Sequence, residues 1–495
     1  MRSVPGLAKL DRVGDRGAEP SIPQHLIPLN DPRRRLRDKA CMNAPFALPH
    51  ALRDLARRSV PRYTSYPTAP HFTSAVTAEV HAEWLRRVAR AGSPVSLYLH
   101  IPFCRTICNY CGCTTKASLR DEPIRAYAAV LHHEIALLAA HLGRAEVSRI
   151  HWGGGTPNIL PPDCFEAIVR DLGDRFAFRP DMEHAVELDP RHVTPEGARA
   201  LASLGVNRAS LGVQTLDPAV QAAIGRVQPL PTVRAAFESL RSAGIEAINA
   251  DLMYGLPFQD DDSVAATAEL MLSLAPSRFA IFGYAHVPWM KTHQRLVDEA
   301  ALPGPEERLS QAAVARRILE GGGYVEIGMD HFAHPDDPLS VAQAGGRLRR
   351  NFQGYTDDDA ETLVGIGASS ISRMPWGYAQ NAADVPGWRR AIEEGRFAIA
   401  RGKAFDGQDA MRADAIEAVL CRFEVDLAAV AARHSAPVSV FDEDVRRLRH
   451  FVNAGWVDVD GSRVSIRVHR HEIARLVASE FDAYLGHGGK HSVAV

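Results

Sequence analysis

The chain has 495 residues, 46% of them hydrophobic and 23% charged, with a formal net charge of −2. That composition fits a globular protein of two or three domains and argues against a nucleic-acid partner, which calls for a net basic surface. No stretch reaches the roughly 18 uninterrupted apolar residues of a membrane span, the first residues lack a signal-peptide core, and the seven cysteines are odd in number, so a reduced, cytoplasmic protein without a disulfide framework is expected.

Residues 1–41 are rich in Pro, Arg, Asp and Gly without apolar periodicity and are expected to lack fixed structure of their own; the basic run DPRRRLRDK (31–39) reads as a solvated tail. A segment over 42–94, including PRYTSYPTAPHF, is expected to cover the body that follows. From residue 95 short apolar runs rich in Val, Ile, Leu and aromatics recur at VSLYLHIPF, VSRIHWGGG, HAVELDP, RASLGVQ, AINADLMYGLP and RFAIFGYAHVP. Helical patterns separate them, with start signals at Asp163, Thr194 and Thr232 and stops at Gly205 and Gly244. Strand and helix alternating six times predict an α/β fold with a parallel sheet, either a partial (β/α)6 barrel or an open doubly wound layer. An insertion follows the sixth strand within a domain spanning 95–375. From 405 to 490 helices and a hairpin at Asp460 and Gly461 suggest a smaller, mostly helical, winged-helix-like domain, read as a structural or substrate-covering lid because the net charge argues against DNA.

The working face of such a sheet is the carboxyl end of its strands. There the sequence places HIPFCRTICNYCGCTT (100–115) after strand one, GGGTP (153–157) after strand two, Glu187 and Asp189 at the end of strand three, Gln214 at the end of strand four, Asp251 within strand five, and Ala285 and His286 at the end of strand six. Cys104, Cys108, Cys111 and Cys113 come from one short loop. Structural zinc prefers two pairs of ligands a dozen or more residues apart. An iron–sulfur cube is larger, and thiolates spaced C-x3-C-x2-C can each reach a different iron, so Cys104, Cys108 and Cys111 look like three ligands with one iron left open. Zinc remains the alternative on these grounds.

C-x3-C-x2-C after the first strand of a βα repeat resembles the radical S-adenosylmethionine (SAM) superfamily. Within it, RYTSYPTA, YLHIPFC, CGC, HWGGGTP, VELDP, LGVQ, NADLMYGLP, YAHVPWMK, GMDHFA and RNFQGYT together resemble the oxygen-independent coproporphyrinogen III oxidase (dehydrogenase) family, from about residue 60 to the C-terminal helix. Cys113 and RNFQGYT separate it from heme-carrying paralogues, which typically have an aromatic residue at the former. The family departs from this chain at Thr114, where Asn or His often stands, and at the start, where about forty extra residues point to Met42 as the natural first residue.

The resemblance implies a 4Fe-4S cluster on Cys104, Cys108 and Cys111, with Cys113 required but not a ligand. It implies two SAM molecules, one contacted by Tyr98, Gly154, Glu187, Ala285 and Ile371, the other by Tyr110, Gly155, Thr156, Gln214, Arg226 and Asp251; Tyr98 joins Cys113 as a catalytic candidate. Plainer alternatives stand beside these: Arg226 as a surface helix charge, Asp251 as a satisfied core carboxylate, Tyr98 as a strand aromatic, and the glycines as a tight turn. The implied activity is decarboxylation of two propionates of coproporphyrinogen III to vinyl groups, giving protoporphyrinogen IX for heme biosynthesis. A 5′-deoxyadenosyl radical takes hydrogen from the propionate β-carbon. The electrons would come from a donor such as flavodoxin or ferredoxin, and a monomer is expected. Arg62, Arg347, Arg349 and Arg350 are candidates for meeting the propionates. A heme-binding chaperone and a radical SAM enzyme with another substrate are the alternatives.

Overall fold

A computed structural model describes residues 58–486, within the compact unit Pro49–Val495. The expectations for residues 1–41 and for Met42 lie outside the described residues.

Six strands follow in chain order: β1 (Val95–Ile101), β2 (Glu146–Gly154), β3 (Ala177–Leu188), β4 (Arg208–Gln214), β5 (Ala247–Tyr254) and β6 (Arg278–Gly283). Each pairs in parallel with the next. Thr362–Ile366 (β7) adds a seventh parallel strand on the free side of β1. The sheet then continues antiparallel through Ile371–Met374, Gly377–Asn381 and Ile399–Ala404, and beyond β6 through His331–Ala333 and Val325–Ile327. The α/β partial barrel expected from the alternation is present, and these flanking antiparallel strands are additional to it.

Side chains alternate along every parallel strand, as the two-residue period of a pleat requires. Val95, Leu97 and Leu99 of β1, Ile150 and Trp152 of β2, and Ala209, Leu211 and Val213 of β4 face the helices and are fully buried. The opposite row is polar: Tyr98, Arg149, His151, Glu183, Glu187, Arg208, Ser210, Asn249, Asp251 and Arg278. Most of it lines an interior cavity of about 190 Å3. Each fully buried aliphatic side chain stabilises by roughly 1.5–3 kcal/mol, whereas a buried ion pair returns about what its desolvation costs. The outward row therefore holds the barrel together, and the inward row makes its interior polar.

Helix starts differ from expectation at two of three positions. Thr194 does cap its helix, accepting from Gly197 N at 3.0 Å. Asp163 and Thr232 instead lie inside first turns, because Pro162 and Pro231, with fixed φ and no N–H to lose, let the helices begin earlier. Gly205 and Gly244 end theirs with φ of +81° and +92°. In the C-terminal part the hairpin Val457–Asp460 and Arg463–Ile466 gains a third strand, Glu424–Asp426. Helix Arg470–Ser479 stops six residues short of the expected Leu485. Among the described residues no helix is long and apolar enough to cross a membrane.

Helix Glu122–Leu142 braces the end of β1. Tyr127 Oη donates to His100 O (2.8 Å) and accepts from Ala368 N (2.9 Å). Glu134 accepts from Gly367 N (2.7 Å), Asn381 Nδ2 (2.7 Å) and Trp388 Nε1 (3.1 Å). Burial nevertheless raises its pKa from 4.5 to about 7, against the pull of those donors. A raised carboxyl pKa favours the fold while the group is protonated, so this contribution is complete below about 4.5 and is lost as pH rises through about 7. Glu134→Gln, compared with the parent by urea unfolding across this range, should show the parent's relative stability falling with pH and levelling above about 7.5; a pH-independent difference would contradict the assignment.

Candidate functional site

The cysteine loop leaves β1 with almost no regular structure of its own, and the rim supplies its hydrogen-bond partners. Its base is closed by Lys116 N to Pro102 O (2.9 Å) and Ser118 N to Cys104 O (2.8 Å). Asn109 anchors the far side through its N–H to Ile224 O (2.9 Å) and its amide to Ala223 O (3.2 Å). The loop after β6 closes over the rest: Gln294 Nε2 donates to Tyr110 O (2.8 Å), His293 Nε2 to Cys111 O (2.7 Å) and Lys291 Nζ to Cys113 O (2.9 Å). His100 Nε2 donates to Thr114 O (3.0 Å), which leaves its Nδ1 to accept from Tyr98 Oη (3.1 Å). Burial keeps His100 neutral by lowering its pKa, and burial also pushes the Tyr98 phenol well above its ordinary value.

Three sulfurs accept hydrogen bonds. Cys104 Sγ lies 3.3 Å from the hydroxyls of both Thr115 and Thr156. Cys108 Sγ accepts from Arg226 Nη1 (3.5 Å), and Cys111 Sγ from Cys113 N (3.4 Å). The neighbouring Cys113 thiol, with help from His293 and Lys291, holds the Cys111 pKa below its ordinary value while its own is raised. Hydrogen-bonding groups around three sulfurs of one loop suit an iron–sulfur cluster, whose sulfurs are tuned in this way.

GGGTP is crowded by its neighbours. A Cβ on Gly154, whose φ is +110°, would stand 2.6–2.9 Å from the His100 ring; one on Gly153 would stand 2.7 Å from Glu187 Oε1; one on Gly155 would strike Phe103 O. The plainer reading of these glycines as a tight strand end is therefore satisfied, and Gly155 N and Thr156 N bond Ile101 O (2.8 Å) and Phe103 O (2.9 Å) across it. Glu187 accepts from Gly154 N (3.2 Å) and pairs with His151 Nε2 (3.1 Å). Enclosure would raise its pKa, but His151 and the Gly154 N–H hold it below the ordinary value.

Arg226 is not a surface charge. It is 8% exposed, donates Nη2 to Gly212 O (2.6 Å) and Nη1 to Asp189 Oδ2 (3.3 Å), and leaves Nε without a partner among the described residues. Asp189 also takes the fork of Arg191, and these guanidiniums outweigh burial to hold its pKa near 2. Tyr110 and Gln214 lie beside Arg226. Asp251 stands apart in the interior: it accepts from Ser210 Oγ (2.9 Å) and Asn249 Nδ2 (2.7 Å), and burial, reinforced by Glu187, raises its pKa to about 6. Its bonds also fit the plainer reading of a satisfied carboxylate. Ala285 O accepts from Gln294 (3.3 Å), and Ile371 packs its backbone against Gly365 of β7.

The structure thus gathers Tyr98, Gly154 and Glu187 around His100 and His151, and Tyr110, Gln214 and Arg226 around Cys108 and Asp189, while Asp251 is nearer the first group than the second. Sequence reasoning missed the clamp of Lys291, His293 and Gln294. Their adjacency after the sixth strand was visible, but not that Gln294, in the short 3-10 helix Thr292–Leu296, is fully buried. Of the arginines expected to meet substrate, Arg347 is exposed and Arg349 pairs with Glu417 (3.0 Å), whereas Arg350 and Arg62 touch. Gly154→Ala should cost about 1–3 kcal/mol in urea unfolding, because positive φ and the His100 ring both oppose a side chain; Gly153→Ala should cost less, since the Glu187 carboxylate can swing aside. Equal costs would show that His100 is not a fixed wall.

Against this geometry, the family model of the Radical SAM superfamily matches residues 98–271. The oxygen-independent coproporphyrinogen III oxidase of Bradyrhizobium diazoefficiens is 46% identical over 88% of this chain and 97% of its own length. That of Paracoccus denitrificans is 44% identical over 88% of this chain and 96% of its own. The solved structure of coproporphyrinogen III oxidase from Escherichia coli, a radical SAM enzyme, shares 34% identity and a TM-score of 0.82, covering 86% of this chain and all of that one. Similarity of this degree over nearly the whole length places the chain in the oxygen-independent coproporphyrinogen III oxidase family of the radical SAM superfamily.

Proposed function

We propose that the chain oxidatively decarboxylates two propionate side chains of coproporphyrinogen III to vinyl groups without oxygen, giving protoporphyrinogen IX in heme biosynthesis. The observation that carries this reading is near full-length similarity to oxidases of that name, joined in this chain to four thiols on one rim loop.

Cys104, Cys108 and Cys111 would hold a 4Fe-4S cluster, and with SAM it supplies a reductively generated carbon radical able to take hydrogen from the propionate β-carbon. Thr115, Thr156 and Arg226 hydrogen-bond the ligand sulfurs. Glu187, with its low pKa, is fitted to take an ammonium or ribose hydroxyls, and Tyr98 and His100 fix the loop beside Gly154. Arg226, Tyr110, Gln214, Gly155 and Thr156 are assigned to a second SAM; Asp251 joins them as the one member on the interior side. Ala285 and Ile371 supply backbone beside the first. Cys113 is assigned as a non-ligand group for the substrate side. Residues 95–375 are assigned as the catalytic domain, with 58–94 and 405–486 as segments that cover it. The protein works as a cytoplasmic monomer and takes electrons from a flavodoxin or ferredoxin.

Given reductant, SAM and coproporphyrinogen III under anaerobic conditions, the loaded protein should form protoporphyrinogen IX. Cys104→Ser, Cys108→Ser and Cys111→Ser should each lose cluster absorbance and turnover. Cys113→Ser should keep iron and sulfide but lose turnover by roughly 100-fold or more, the scale of a missing acid–base group. Stoichiometric heme binding with no porphyrinogen conversion would identify a carrier instead.

A further inference from the structure

We infer that Arg62, Arg308, Arg350 and Arg475, gathered at the β5–β6 end of the rim, form a carboxylate subsite that holds a propionate of the porphyrinogen away from the reacting carbon. The inference rests on the function proposed above and adds where the substrate's charge is read.

The four side chains arrive from four separate stretches. Arg62 Nη2 donates to Gly283 O (2.8 Å) at the end of β6, with its guanidinium 5.8 Å from the Phe282 ring centre. Arg308, on helix Pro305–Gly321, fills the space over the same strand ends: a Cβ on Gly255 or Gly283 would stand 3.1 or 3.0 Å from its guanidinium. Arg350 donates Nη2 to Arg62 O (3.3 Å) and lies 4.5 Å over the Tyr355 ring. Arg475, from the C-terminal helix, donates to Val60 O (2.6 Å) and Pro61 O (3.3 Å). Asp330 lies among them, its backbone carbonyl accepting from Ile281 N (2.7 Å). Burial would raise its carboxyl pKa, but His331, Arg350 and Arg62 hold it well below the ordinary range.

Guanidiniums crowded in this way repel. Burial, and then Arg62 and Arg350, push Arg475 down to about 9, and burial with Arg62 also lowers Arg308. Burial would also lower Arg350, but Tyr355 and Asp330 raise it, so the chain's own groups offset part of the charge and a bound carboxylate would offset more. The interior arginines Arg149, Arg208 and Arg278 each have a carboxylate of the chain at 2.6–2.7 Å. Arg350, only 7% exposed, keeps Nε and Nη1 without partners among the described residues. Phe282, His331 and Tyr355, on which this cluster rests, also line the cavity that contains Glu187 and Asp251. A flat tetrapyrrole bearing carboxylates at its edge matches aromatic walls leading to a guanidinium cluster.

The test is a fluorescence titration of the cluster-loaded full chain with coproporphyrin III, the stable oxidised tetracarboxylate, and with its uncharged tetramethyl ester. Arg350→Gln should weaken coproporphyrin III binding about tenfold or more, the scale of lost bonds to a charged group. Arg350→Lys should recover part of that, Arg308→Gln should show the same loss, and ester binding should not change. Melting temperature without porphyrin is read on both variants, so that lost affinity in a folded variant is told apart from unfolding. Unchanged coproporphyrin III affinity in both Gln variants would overturn the subsite, as would equal loss for the ester, loss of SAM binding instead, or unfolding of both variants. In each of those cases a parent protein that still converts coproporphyrinogen III leaves the proposed function standing; a parent that neither binds nor converts it removes that function as well.

Discussion

The polar groups that surround the thiol loop take their positions from one constraint: the loop makes few regular hydrogen bonds within itself, so its backbone must be satisfied from outside. Tyr110, Cys111 and Cys113 offer carbonyls to Gln294, His293 and Lys291, Thr114 to His100, and Asn109 meets the turn at Ala223 and Ile224. Three separated segments thereby hold one loop. With the carbonyls turned outward, the sulfurs face the rim, where Thr156 and Arg226 reach them. The close contact between Gly154 and His100 belongs to the same arrangement, since the ring that bonds Thr114 leaves no room for a Cβ on β2.

The inward polar rows of the strands then set two carboxylates apart. Glu187, with His151 and a backbone N–H, stays ionised; Asp251, deeper among Ser210 and Asn249, titrates near 6. One is suited to a cation, the other to a hydroxyl or to holding a proton, and the difference comes from neighbours rather than from residue type. At the far end of the rim the charge is reversed, with arginines from the N-terminal segment, the insertion and the C-terminal helix meeting around Asp330. A substrate that is both flat and anionic would span that polarity.

The sequence made the six parallel strands legible because each carries a buried apolar row dense enough to stand out, and glycine punctuates their ends. It also made the thiol loop legible, since ligand spacing is a local property. Strands of three to six residues, such as Glu424–Asp426, Ile371–Met374 and Ile399–Ala404, carry too few periods to be recognised and depend on partners far along the chain. Helix starts were misread at Asp163 and Thr232 because a nearby proline outranked the cap. Long-range burial was equally hidden: nothing local distinguishes Arg226, which is enclosed, from Arg347, which is exposed. Gln294 illustrates the same limit, its burial following entirely from the loop that it clamps.

The central claim is that this rim directs a carbon radical to the β-carbon of a propionate. Its most direct measurement is isotope transfer under anaerobic turnover, with coproporphyrinogen III deuterated at the propionate β-carbons. The account predicts deuterium in the recovered 5′-deoxyadenosine together with vinyl formation. SAM cleavage by fully loaded protein with no deuterium transferred would contradict it.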